Sequence, residues 1–146
     1  MPNTDTNEFD VVIAGAGMVG ASLACLLAES SLRIALIDRN PIVQGKSSGS
    51  LELHSDKFDP RVSAISQASQ QLFRQLGVWE DMSAARICNY SAMEVWDAEG
   101  TGSIDFSAAE INQPELGSIV ENSIIIAALH TRIAQHGNVF PILHSP

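Results

Sequence analysis

The chain holds 146 residues, with 8 Lys and Arg against 17 Asp and Glu for a net charge of −9, and 45% of it is hydrophobic. That is enough chain for one ordinary domain with a sizeable core, and the acidic balance argues against a nucleic-acid partner while saying little about fold. Its two cysteines, Cys25 and Cys88, stand far apart with no C-x-x-C or Cys/His cluster, so neither a zinc site nor a disulfide framework is expected.

Residues 1–8 are polar and acidic, without the basic start and apolar centre of a secretion signal, and read as a disordered tail on a cytoplasmic protein. Residues 11–14 (V-V-I-A) are apolar and β-rich, the composition of a strand buried on both faces of a parallel sheet. The turn Gly15-Ala16-Gly17-Met18-Val19-Gly20 follows at once in the spacing G-x-G-x-x-G. In a dinucleotide fold the first glycine permits a tight turn, the second lets backbone approach a diphosphate, and the third lets helix pack closely on strand. A helix is expected over residues 17–29, its free N–H groups and positive dipole end facing that diphosphate, with Leu23, Leu26 and Leu27 turned toward the sheet. Cys25 within it reads as a small buried side chain. Residues 33–37 form the second strand, and Asp38 ends it eighteen positions after Gly20, where a carboxylate can accept both hydroxyls of an adenosine ribose. Residues 11–28 carry no charge over about the length of a membrane span, but three glycines among its first ten residues and flanking acids favour a buried strand and helix.

Asn40-Pro41 stops the second strand, and residues 44–57 are rich in turn formers without periodicity, a surface excursion in which His54 reads as a solvated loop residue. A second helix should start at Ser66 as N-cap and stop at Gly77, its apolar face made by Ile65, Ala68, Leu72, Phe73 and Leu76, with Trp79 packing beyond it. Arg61 stands just before that helix, and spacing alone reads it as an exposed structural arginine. Residues 90–96 and 103–106 read as an antiparallel hairpin, with Asp97 and Glu99 in its connection. Residues 108–117 are an irregular connection, and residues 119–121 are extended. Asn122 then caps a helix running to about His136, with Ile124, Ile125, Ala128, Leu129 and Ile133 buried and Gly137 closing it. His130 and His136 are six apart and so share no helix face, which disfavours a metal pair. Residues 139–143 complete the parallel sheet.

Several of these stretches together, D-V-V-I-A-G-A-G-M-V-G, R-V-S-A-I-S-x-A-S followed by Q-L-G-V-W, M-E-V-W-D and G-S-I-V-E-N-S, resemble the FAD-dependent hydroxylases of ubiquinone biosynthesis, particularly the 2-polyprenylphenol hydroxylase type. The resemblance runs from about Phe9 to the last residue. It implies an α/β fold: a Rossmann-like, glutathione-reductase-type FAD-binding domain with a parallel sheet, plus a short antiparallel hairpin belonging to an incomplete substrate domain. In that division residues 1–8 are the tail, 9–146 the N-terminal part of the FAD domain, and 86–120 an excursion toward a mostly absent substrate domain. Relatives of this type are more than twice as long, with a later Asp-Gly motif and a Gly-Asp-Ala segment, so the chain is expected to be an N-terminal piece.

The resemblance further implies that Gly15, Ala16, Gly17, Met18, Val19 and Gly20 hold the FAD diphosphate, that Asp38 binds the ribose and that Arg39 covers the adenine side. It also moves Arg61 from the surface to the flavin or diphosphate, and puts Asn122 at a helix head near FAD. Where many relatives carry arginine this chain has Ser123, and no contact is carried over there. The implied activity is hydroxylation of a polyprenylated phenol or quinone intermediate with O2 and NAD(P)H as transient reductant, in peripheral contact with the inner membrane and in complex with other enzymes of the pathway. The cofactor carries that chemistry, so no catalytic triad, metal cluster or acid/base pair is required in this stretch, and no catalytic residue is assigned in it. From the glycine turn and Asp38 alone, an NAD-binding dehydrogenase or sensor domain fits as well, and a non-enzymatic accessory subunit is a third reading.

Overall fold

A computed structural model describes residues 8–42 and 58–143, so most of the expected tail, the 44–57 excursion and His54 lie outside the described residues. Along the chain the elements are β1 (Val11–Ala14), α1 (Met18–Ala28), β2 (Ile34–Asp38), β3 (Val62–Ser66), α2 (Gln67–Gln75), α3 (Trp79–Ala85), β4 (Ile87–Tyr90), β5 (Ala92–Trp96), β6 (Ser103–Ser107), a 3-10 turn (Ala108–Ile111), β7 (Gly117–Glu121), α4 (Asn122–Ile133) and β8 (Val139–Leu143). They divide into two compact units, Met1–Glu52 with Ile125–Pro146, and Leu53–Ile124.

The first unit is built on a parallel sheet in the order β1-β2-β8. Leu36 of the middle strand lies opposite Ile13 on one side and Pro141 on the other. A proline, which has no N–H to give a ladder, is tolerated there because β8 is an edge. Ile34, Ala35 and Leu36 are buried, and the isoleucine and the leucine each stabilise the fold by about 1.5–3 kcal/mol. The expectation of burial on both faces fails for β1. It is also an edge strand, and Val12 is 61% exposed while Ile13 alone is buried.

Helix α1 corrects a second expectation. Leu23 and Leu26 remain 44% and 46% exposed, and the buried stripe is Ala21, Ala24, Cys25 and Ala28. Small side chains let the helix lie close against β1 and β2, and leucines on that face would hold it away. Burial pushes the Cys25 thiol up to about 11, which leaves it unreactive. Helix α4 buries the expected Ile125, Ala128, Leu129 and Ile133 in this unit. It ends at Ile133 rather than near His136, the turn closing through the His136 N–H to the Ile133 carbonyl. Gly137 therefore does not act as a left-handed cap; its φ is not positive.

The second unit contains an antiparallel sheet, β3-β7-β4, that local patterning does not reveal. What reads as a single strand from residue 90 is two, β4 and β5, broken at Ser91. Ser66 caps α2 by accepting the Ser69 N–H, and Gly77, at φ +69°, ends the helical segment as expected. The buried face of α2 is Gln70 and Phe73, with Ala68 exposed. Gln70 is tolerated inside because its amide donates to Ser118 Oγ at 3.0 Å, and that hydroxyl donates on to Asn89 Oδ1 at 2.7 Å. Trp79 is buried in the same core, under the Arg74 guanidinium. The expected hairpin is β5-β6, pairing Met93 with Phe106 and Val95 with Ile104, and all four side chains are exposed. Asp97 takes the turn role expected of it, accepting the Glu99 N–H. No helix among the described residues is long and apolar enough to cross a membrane.

Candidate nucleotide site

The first unit brings the glycine turn and the acid together. Gly15 sits at φ +103°, a conformation that side-chain-bearing residues rarely adopt, and its N–H donates to the Ile37 carbonyl at 2.7 Å. The turn is thereby tied to the end of β2. At Gly20 a Cβ would lie 1.9 Å from the Gly15 carbonyl oxygen, so only glycine lets the first turn of α1 pass over the end of β1. At Gly17 a Cβ would meet nothing within 4 Å, and the backbone there faces open space. The first four N–H groups of a helix have no partner within it, and the first turn of α1 carries no acidic side chain to neutralise its positive end. Ala16 is buried, Met18 half-buried and Val19 exposed.

Asp38 reaches back to this turn. Its Oδ2 accepts the Ala16 N–H at 2.6 Å and its Oδ1 accepts the Asn40 N–H at 2.8 Å. Those amides, Asn40 first and then Ala16, hold the Asp38 carboxyl below the usual carboxylate range. Each oxygen keeps a lone pair for a further donor, so a ribose diol can be accepted without breaking either bond. Ala14, Gly15, Ile37, Asp38, Arg39 and Asn40 line a cleft of about 370 Å³, within the range of small-molecule sites. Beneath the turn, His130 Nε2 lies 2.8 Å from the Ala16 carbonyl oxygen. Nothing in the local sequence signals this contact, which joins residues 114 positions apart.

Arg61 and Asn122 belong to the other unit and meet each other there, the Asn122 N–H donating to the Arg61 carbonyl at 3.0 Å. The Arg61 side chain is 79% exposed, its Nε 3.9 Å from Asp59 Oδ1, a separation at which an exposed pair contributes little. Asn122 is not the cap of α4. It is the first helical residue, and its Oδ1 accepts the Ser63 hydroxyl at 2.7 Å. The exposed Ser123 N–H is instead satisfied by Asp59 Oδ2, which does what a capping side chain does from 64 positions away. The Arg61 and Ser123 amides hold the Asp59 carboxyl below its usual range. Glu121, next to this helix head, is buried against Arg86 at 2.7 Å and accepts the Asp59 N–H at 2.7 Å. That arrangement fixes the Asp59 backbone.

Residues 10–109 match the family model described as FAD dependent oxidoreductase. The chain is 35% identical over 133 residues to the 3-demethoxyubiquinol 3-hydroxylase of Escherichia coli, covering 89% of this chain and 31% of that protein. It is 38% identical over 136 residues to the mitochondrial ubiquinone biosynthesis monooxygenase COQ6 of Danio rerio, covering 87% and 26%. The chain thus spans less than a third of the length of these relatives. Among solved structures, PqsL from Pseudomonas aeruginosa superposes with a TM-score of 0.62 at 17% identity, over 93% of this chain and 33% of that one. The flavin-dependent monooxygenase PieE, solved with FAD and substrate, gives 0.61 at 14% identity, over 91% and 23%. At such identities the likeness speaks for the fold, which agrees with a Rossmann-like domain built on a parallel sheet.

Proposed function

The chain belongs to the FAD-dependent oxidoreductase family, and from that premise we propose that it carries the nucleotide-binding part of an aromatic monooxygenase acting on a polyprenylated phenol or quinone intermediate of ubiquinone biosynthesis. The observation that carries the reading is the 2.6 Å bond between the Asp38 carboxylate and the Ala16 N–H, which joins the ribose acceptor and the amide turn in one cleft. The kinship with ubiquinone-biosynthesis hydroxylases supports the substrate class.

The residues fit the adenylate half of FAD. The Gly15–Gly20 turn offers amides and a close approach where a diphosphate needs both, Asp38 offers its remaining lone pairs to a ribose, and Arg39, which lines the same cleft, is assigned to cover the adenine. When bound, FAD supplies the redox and oxygen-transfer chemistry, drawing electrons from NAD(P)H. The protein's own residues bind, orient and exclude water. Arg61 keeps an exposed guanidinium beside Asp59, suited to an anionic group, and Asn122 opens α4; we assign both to the flavin side. The exposed apolar face of the β5-β6 hairpin supports reading residues 86–120 as an excursion toward a substrate domain. A polyprenyl tail partitions into a bilayer, so the reading carries with it a cytoplasmic enzyme in peripheral contact with the inner membrane, beside other enzymes of the pathway.

Titration of the purified 146 residues with FAD and, separately, NADH tests this. FAD is expected to bind weakly but in preference to NADH, without hydroxylation of a polyprenylphenol by this stretch alone. Preferential NADH binding overturns the flavin assignment in favour of a dehydrogenase or sensor domain.

A further inference from the structure

His130 is buried in α4, 5% exposed, with Nε2 2.8 Å from the Ala16 carbonyl oxygen. A carbonyl oxygen only accepts, so Nε2 carries a hydrogen and donates. The peptide joining Ala16 to Gly17 is planar, and in the trans form its C=O and N–H point in opposite directions. Drawing the carbonyl down onto His130 therefore aims the Gly17 N–H away from that histidine. The peptide before it is pinned separately, its N–H on Asp38. Two consecutive peptide planes are thus fixed by side chains from two different elements, and the turn cannot rotate either one without breaking a bond that is partly or fully buried.

We infer that His130 is a positioning residue for the diphosphate: it acts through the Ala16 carbonyl to hold the Gly17 N–H as a ready donor. The inference rests on the nucleotide reading above and deepens it. Its energetic logic is preorganisation, since an amide already aimed at the anion loses no freedom on binding. Neither the glycine spacing nor the helix pattern around residue 130 contains this information.

The test compares wild type, His130→Leu and His130→Gln by titration with FAD, ADP and adenosine, followed by calorimetry or ligand-observed NMR. Leucine keeps the volume and removes the donor, while glutamine can return an amide N–H to the Ala16 carbonyl. H130L should weaken FAD and ADP binding roughly tenfold and leave adenosine, which has no phosphate, within about twofold. H130Q should recover most of the loss. If leucine leaves the chain unfolded, H130N, whose amide is too short to reach the Ala16 carbonyl, takes its place with the same expectation. Unchanged ADP binding in the folded variant overturns the inference alone, as does an equal loss for ADP and adenosine, which would mark general damage to the turn. Wild type that binds neither FAD nor ADP brings down the nucleotide reading, and this inference with it.

Discussion

The parallel sheet and the β5-β6 hairpin are both made of short, apolar-rich strands, yet they treat their side chains in opposite ways. In β2 every residue is buried or half-buried, and Ile34, Ala35 and Leu36 are almost fully so. In β5 every residue is exposed, and the apolar pairs Met93–Phe106 and Val95–Ile104 stand in the open on one face of the ribbon. A strand between two neighbours, covered by helices, contributes to stability through what it excludes from water. A two-stranded ribbon has no such cover, and its apolar face contributes little until something is laid upon it. The same contrast separates the places where substitution should destroy the fold from those where it should pass unnoticed.

The largest effect is expected where backbone meets backbone. Gly20→Ala puts a Cβ 1.9 Å from the Gly15 carbonyl oxygen, and the strand-turn-helix junction must open to admit it. A loss of about 4 kcal/mol in denaturant-measured stability is expected, together with loss of FAD binding. Leu36→Ala comes next, at about 3 kcal/mol, because the site is fully enclosed and collapses poorly. A cost under 1 kcal/mol there would break the comparison, since it would mean that the sheet's centre is as loosely held as the hairpin.

Asp38→Asn should act more on binding than on stability, weakening FAD roughly tenfold. Its pH signature is specific. The amides of Asn40 and Ala16 hold the folded-state carboxyl below its unfolded value, so the stabilisation is complete above the ordinary carboxylate range. It is lost as pH falls through the depressed folded value. The acid limb of the wild-type stability curve should therefore be steeper than that of D38N, and superimposable limbs would show that the bonds to Asp38 add nothing. The smallest effect is expected at Val95→Ala, within about 0.5 kcal/mol, because the side chain is already half in water. A cost approaching that of Leu36→Ala would show that the hairpin's apolar face is covered in solution.

The legible parts of the molecule were those whose signals are local. The glycine turn announced the β1-α1 junction, because a positive φ at Gly15 and a close approach at Gly20 each exclude other residues. Ser66 and Gly77 bounded α2 for the same kind of reason. The α1 face is not legible from spacing, because leucines at helical spacing look like a core stripe whereas the neighbouring sheet leaves room only for alanine and cysteine. Asn122 has the chemistry of a cap, and sequence offers no hint that Asp59 occupies that position first. The β3-β7-β4 sheet was invisible because its strands pair across long separations, and pairing leaves no periodicity of its own.

By itself the sequence determined which turn could accept a diphosphate, which acid could follow the second strand, and the strand-turn-helix-strand order of residues 11–38, since these depend on residues within about twenty positions of one another. Only the tertiary structure decided which carboxylate caps α4, which polar side chain sits inside the second core, and that a histidine from α4 holds the glycine turn from below. Those choices turn on which groups meet after the chain has folded back on itself, and a hydrogen bond between residues more than a hundred positions apart leaves no trace in the spacing of either.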